Sequence, residues 1–121
     1  MKRSVMLVEN NPLFRRFLES ALPQYYAAFD FLFADSAQSA RKKIENLTDL
    51  YCLVTNYDLG AGQSNGIQLA EEIRGKFPNV KVILIAPEMD EYLIREANRH
   101  GIYNCASKYE GLYRWIKFIE F

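Results

Sequence analysis

Apolar and polar positions fall into regular blocks along the chain. Five short apolar runs of strand length recur, each bounded by polar residues: 4–8 (SVMLV), 29–34 (FDFLFA), 51–56 (YCLVTN), 80–86 (VKVILIA) and 102–107 (IYNCAS). After each run the apolar spacing changes to that of a helix. NNPLFRRFLESAL carries Leu13, Phe17 and Leu18 at helical spacing, with Pro12 suited to the first turn and Asn10 or Asn11 as its cap. DSAQSARKKIENL (35–47) is capped by Asp35 or Ser36 and turns Ala37, Ala40, Ile44 and Leu47 inward. IQLAEEIRGKF (67–77) places Ile67, Ala70 and Ile73 inside and stops before Pro78.

MDEYLIREANRHG (89–101) has Ile94 and Ala97 inward, Tyr92, Arg95, Glu96 and Arg99 outward, and Gly101 at its C-terminus. YEGLYRWIKFIEF (109–121) carries Leu112, Ile116 and Ile119 as a core stripe. Its remaining aromatics, including Tyr113 and Trp115, exceed what one buried face accommodates, so part of them is expected on a partner surface. Between strand three and its helix lies YDLGAGQSNG, a loop with three glycines and an Asn-Gly turn signal.

Five strand–helix repeats with near-continuous apolar strands predict an α/β fold: a parallel sheet covered on both faces, a three-layer doubly wound sandwich. In such a sheet the C-terminal strand ends gather the site. Here those ends carry Glu9–Asn10, Asp35, Asn56–Asp58, Ala86 and Ser107–Lys108.

Composition narrows the function classes. The 121 residues suffice for one domain, read as 1–121, and half of them are apolar. Fifteen basic residues balance fifteen acidic ones, which argues against non-specific nucleic-acid binding. Cys52 and Cys105 sit in strands and are expected as reduced thiols of a cytoplasmic protein. They form no CxxC pair, and His100 is the sole histidine, so neither a zinc site nor a Ser-His-Asp set is expected. His100 lies in the last turn of its helix, where it favours the dipole. Met1–Lys2–Arg3 lead straight into a strand of about five residues, too short for a signal peptide or a membrane span, so neither is expected there. GAGQSNG fits neither a Walker loop nor GxGxxG, and ENNP is unlike a flavin-phosphate loop, so no cofactor is expected.

With these strand ends the chain resembles the receiver domain of two-component response regulators, the CheY-like superfamily, over residues 3–121. The resemblance implies a flavodoxin-like (βα)5 sandwich with strand order 2-1-3-4-5. Receivers carry an acidic pair after strand one; this chain has VENNP, with Glu9 and Asn10. The phosphoacceptor Asp closes strand three in a TDYDLG-like setting; this chain has TNYDLG, so Asn56 falls there. A Thr or Ser closes strand four, where this chain has Ala86. A Lys-Pro pair follows strand five, where this chain has Lys108 and Tyr109, and the aromatic switch position is Cys105.

These departures bear on the chemistry the resemblance implies. Phosphoryl transfer to a receiver needs a carboxylate nucleophile, a Mg²⁺ ion and cations around the phosphoryl oxygens. The Asn56 amide is no such nucleophile. Glu9 is the sole acid left among the metal-binding positions, and Lys108 brings the local charge to zero, so Mg²⁺ binding is expected to be poor. Glu9 and Lys108 are expected to pair, with Asn10 and Asn56 filling the remaining hydrogen bonds.

The expectation is therefore a degenerate pseudo-receiver without the phosphoacceptor Asp: not an enzyme, but a phosphorylation-independent interaction module of bacterial signalling. Its vestigial site would comprise Glu9, Asn10, Asn56, Asp58, Ala86 and Lys108. Its partner, a signalling protein or a second copy, would meet the helix 4–strand 5–helix 5 face through Tyr92, Arg95, Glu96, Arg99, Tyr109, Tyr113 and Trp115. Two alternatives stand beside it. One is an active receiver using Asp58 as a substitute acceptor; the other is a sensor that binds a small molecule in a rebuilt pocket.

Overall fold

Strands whose side chains are apolar on both sides need cover on both faces, and the chain supplies it with crossover helices. In a computed structural model, which describes residues 2–110 and 112–120 but not the side chains of Leu112, Tyr113 and Trp115, five strands alternate with five helices. They are β1 (Arg3–Val8), α1 (Pro12–Tyr25), β2 (Phe29–Ala34), α2 (Ala37–Ile44), β3 (Cys52–Asn56), α3 (Gly66–Lys76), β4 (Lys81–Ala86), α4 (Glu91–Arg99), β5 (Asn104–Ser107) and α5 (Leu112–Glu120). The sheet is parallel throughout, in the order β2-β1-β3-β4-β5. The flavodoxin-like three-layer sandwich is the observed architecture.

Alternation along each strand divides the core in two. Met6, Val8, Leu53, Val82 and Leu84 pack with Ala37 and Ala40 of α2, Ile67, Ala70 and Ile73 of α3, and Leu93 and Ala97 of α4. Val5, Leu7, Val54, Ile83 and Ile85 pack with Leu18 and Leu22 of α1 and Ile116 and Ile119 of α5. Ile44 and Leu47 lie at the border of the first cluster, partly buried. Cys52 and Cys105 are free thiols.

Local chemistry fixes the helix ends. Asn11, not Asn10, caps α1: its side chain accepts from the Leu13 and Phe14 N–H groups, with Pro12 in the first turn. Ser36, not Asp35, caps α2. Asn65 and Gln68 form a reciprocal capping box at α3. Gly101, at φ +74°, follows the end of α4 in the left-handed conformation that glycine adopts freely. Arg74 of α3 donates to the carbonyls of His100 and Gly101, and His100 Nδ1 pairs with Glu71 of α3. His100 thus ties α4 to α3, beyond its place at a helix end.

Three inward assignments need correction. Leu13 is 77 % exposed and Phe17 52 %, because Leu18 and Leu22 take the inner face of α1. Ile94 is exposed, because the Asp90 cap sets α4 in a phase that buries Leu93 with Ala97. Leu112, offered as part of the α5 stripe, has its side chain outside the described residues; Ile116 and Ile119 are buried.

Candidate functional site

The C-terminal ends of β1, β3 and β5 converge on one cluster. Beyond β1, the Glu9 N–H donates to the Ala34 carbonyl at 3.0 Å, which continues the β1–β2 ladder by one residue. The Glu9 side chain is turned inward, with only 1 % exposure. Its Oε1 accepts from Lys108 Nζ at 2.8 Å and from the Asn11 N–H at 2.9 Å. Beyond β5, the Lys108 N–H donates to the Ala86 carbonyl at 2.7 Å, which fixes the start of its own side chain. The Lys108 ammonium lies 4.8 Å from the centre of the Phe14 ring and 5.8 Å from that of Tyr109. A buried ammonium is therefore served by one carboxylate and two aromatic rings.

Asn56 ends β3, paired with Ile85 of β4, and is buried. Its Nδ2 donates to Asn10 Oδ1 at 3.1 Å and to the Asp58 carbonyl at 2.9 Å. The backbone behind it is tight. The Gly66 N–H donates to the Tyr57 carbonyl at 2.7 Å, and a Cβ at Gly66 would lie 2.3 Å from the Asn56 carbonyl oxygen. Only glycine lets α3 begin so close to the end of β3.

Asp58 is exposed, and its Oδ1 accepts from the Gly60 N–H at 2.9 Å. Ala86 is buried and offers no hydroxyl. Nearby, Ser107 Oγ accepts from the Met89 N–H at 3.0 Å and ties the β4–α4 loop to β5. The sequence places Ser107 at this strand end but gives no sign of that partner. Asn10, Asn56, Asp58, Pro87, Lys108 and Tyr109 line an open cleft over the cluster.

Five of the six predicted site residues meet here through side chains or backbone, and Ala86 joins through its carbonyl. Of the surface residues, Tyr92 (74 % exposed), Arg95 and Arg99 face outward as expected. Glu96 is half-buried, held by Arg99 at 3.4 Å and His100 Nε2 at 3.5 Å. Tyr109 is exposed at the rim of the cleft and meets Phe14 edge-on at 5.7 Å. The side chains of Tyr113 and Trp115 lie outside the described residues.

A divalent cation asks for several free hard oxygens, carboxylates among them. Among the described residues no three His, Cys, Asp or Glu side chains are grouped to hold one. Glu9 Oε2 and Asn56 Oδ1 are buried and have no hydrogen-bond partner among the described residues, so two acceptors remain. Against them, Glu9 is already neutralised by Lys108, and Asn10 Oδ1 and the Asp58 carbonyl already take N–H bonds from Asn56. The residues present do not fit a Mg²⁺ ion.

Comparison with known proteins agrees with this architecture. The family model described as the response regulator receiver domain matches residues 5–120. The chain belongs to the response regulator receiver domain family. Among solved structures it is similar to a response regulator from Thermotoga maritima, with TM-score 0.78, 21 % identity and full coverage of both chains. It is similar to the signal receiver domain of an HD domain-containing protein from Pseudomonas fluorescens Pf-5, with TM-score 0.79, 20 % identity, and coverage of 99 % of this chain and 93 % of the other. A response regulator from Burkholderia pseudomallei, solved with a phosphorylated aspartic acid, calcium ion and citrate, matches with TM-score 0.83 and 14 % identity. That match covers 98 % of this chain, which spans 66 % of the length of the Burkholderia chain. None of the curated proteins matches. The chain is thus a receiver domain of two-component signalling, a class of generally non-enzymatic modules that act by meeting signalling partners. Among the described residues no helix is long and apolar enough to cross a membrane.

Proposed function

We propose that this receiver domain signals without being phosphorylated, as a protein-interaction module of two-component-type regulation in the bacterial cytoplasm. The observation that carries this reading is the state of Asn56. The position that would need a carboxylate nucleophile holds an amide, and that amide is hydrogen-bonded to Asn10 and to the Asp58 carbonyl. Glu9, Asn10, Asn56, Asp58, Ala86 and Lys108 then form a vestigial phosphorylation site in which Glu9 and Lys108, its two buried charges, pair with each other. The domain binds through a fixed surface. Its partner, a signalling protein or a second copy, meets the α4–β5–α5 face, where Tyr92, Arg95 and Arg99 are exposed.

One observation favours a second reading. Asp58 is exposed and lines the same cleft as Lys108. Its free Oδ2 would attack the phosphorus of acetyl phosphate, form a P–O bond and release acetate. Its Oδ1 is held by the Gly60 N–H, which withdraws charge from the nucleophile and fixes it at the rim.

Both readings are tested by incubating the protein with Mg²⁺ and either acetyl phosphate or beryllofluoride, then recording intact mass and amide NMR shifts. Unchanged mass and unchanged resonances around Asn56 and Lys108 are expected. A stoichiometric gain of one phosphate that Asp58→Asn abolishes would establish the second reading instead.

A further inference from the structure

We infer, building on the phosphorylation-independent reading, that the amide nitrogen of Asn56 is a built-in substitute for a cation, and that this one group makes the domain insensitive to divalent metal ions. Three hard oxygens stand at the strand ends: Glu9 Oε1, Asn10 Oδ1 and the Asp58 backbone carbonyl. Each faces a nitrogen donor rather than an ion. Lys108 Nζ serves Glu9 at 2.8 Å. Asn56 Nδ2 spends one N–H on Asn10 Oδ1 at 3.1 Å and the other on the Asp58 carbonyl at 2.9 Å. An amide NH₂ carries two donors, and both are used, so its orientation is fixed. Asn56 is buried, and displacing its amide would strip two acceptors of their donors.

Charge and occupancy make separable contributions to metal exclusion. Glu9 and Lys108 cancel each other's charge in the buried part of the site. Occupancy of Asn10 Oδ1 and the Asp58 carbonyl comes from Asn56. Asn10→Asp and Asn56→Asp add the same negative charge within the same cluster, and they differ in one respect. The Asn10 variant keeps the amide donor and gives it a stronger acceptor. The Asn56 variant removes the donor, frees Asn10 Oδ1 and the Asp58 carbonyl, and sets a carboxylate between them.

The test is a titration of the wild-type domain and the two variants with Mg²⁺ alone, no phosphoryl donor present, followed by amide NMR and thermal melting. Wild type and Asn10→Asp are expected to show no saturable shifts at residues 10, 56 and 58. Asn56→Asp is expected to bind Mg²⁺ at least about tenfold more tightly than either, and to melt higher with metal than without. Should Asn56→Asp be unfolded without metal, folding at millimolar Mg²⁺ supports the inference, and unfolding at both overturns it. Equal gains in the two variants would show that charge alone excludes the ion, and saturable Mg²⁺ shifts in wild type would overturn the inference outright. Phosphoryl transfer to Asp58 is read separately, by the mass change with acetyl phosphate, so failure of that reading and failure of this one leave different records.

Discussion

Lys108 Nζ and Glu9 Oε1 lie 2.8 Å apart, and both side chains are almost wholly buried, at 3 % and 1 % exposure. Such a pair contributes little net stability, because desolvation offsets the attraction, but removing one member strands the other charge. Lys108→Met is expected to cost about 3–5 kcal/mol in urea unfolding. Adding Glu9→Gln should recover much of that loss, since a neutral amide no longer needs the cation. Losses that simply add in the double variant would contradict a coupled pair.

The approach of Gly66 to the Asn56 carbonyl oxygen sets a second expectation. A methyl group there would sit 2.3 Å from a backbone atom that holds the end of β3. Gly66→Ala should destabilise by about 1–3 kcal/mol or more, as overpacking does. Gly75, exposed near the end of α3, has nothing within 4 Å of where its Cβ would stand. Gly75→Ala should therefore stabilise by about 0.5–1 kcal/mol through helix propensity. Chemical unfolding of the two variants gives opposite signs if the close approach is real.

The strand–helix order was legible because each apolar run carries its own length and its own boundary residues. Glu9, Asn56 and Lys108 were legible for a related reason: they stand at or just past the C-terminal ends of buried strands, and a parallel sheet brings such ends together. The direction of hydrogen bonding was not legible. Nothing in TNYDLG tells that Asn56 Nδ2 chooses the Asp58 carbonyl two residues on and Asn10 forty-six residues back. Ser107 was placed at a strand end, but its partner, the Met89 N–H, depends on where the β4–α4 loop passes. Leu13 and Phe17 keep helical spacing with each other, yet each stands one position before Phe14 and Leu18, outside the inner stripe of Phe14, Leu18 and Leu22 that packs on the sheet. Spacing reports which residues share a stripe, and neighbours decide how far that stripe is covered.

That difference along α1 is measurable. Leu22 is fully buried against the sheet, so Leu22→Ala should cost about 2–5 kcal/mol. Leu13, at 77 % exposure, should tolerate Leu13→Ser within about 0.5 kcal/mol. A large loss for Leu13→Ser in urea unfolding would mean that its side chain is covered after all.

Cys52 gives the domain a pH dependence with a definite sign. Burial raises its thiol from the ordinary 9.0 to about 12, against a smaller lowering by the charge of Lys81. The folded chain therefore holds a proton between these values that the unfolded chain releases. Stability from this group is fully present below pH 9.0 and is lost as pH rises towards about 12. The slope approaches about 1.4 kcal/mol per pH unit. Cys52→Ala removes the proton and should flatten that part of the profile relative to wild type, whatever its cost at neutral pH. Denaturant unfolding of both proteins between pH 8 and 11 measures the difference. Parallel profiles would show that the Cys52 thiol titrates alike in the folded and unfolded chains. Slow alkylation of the native thiol at pH 8, accelerated on unfolding, is the independent check.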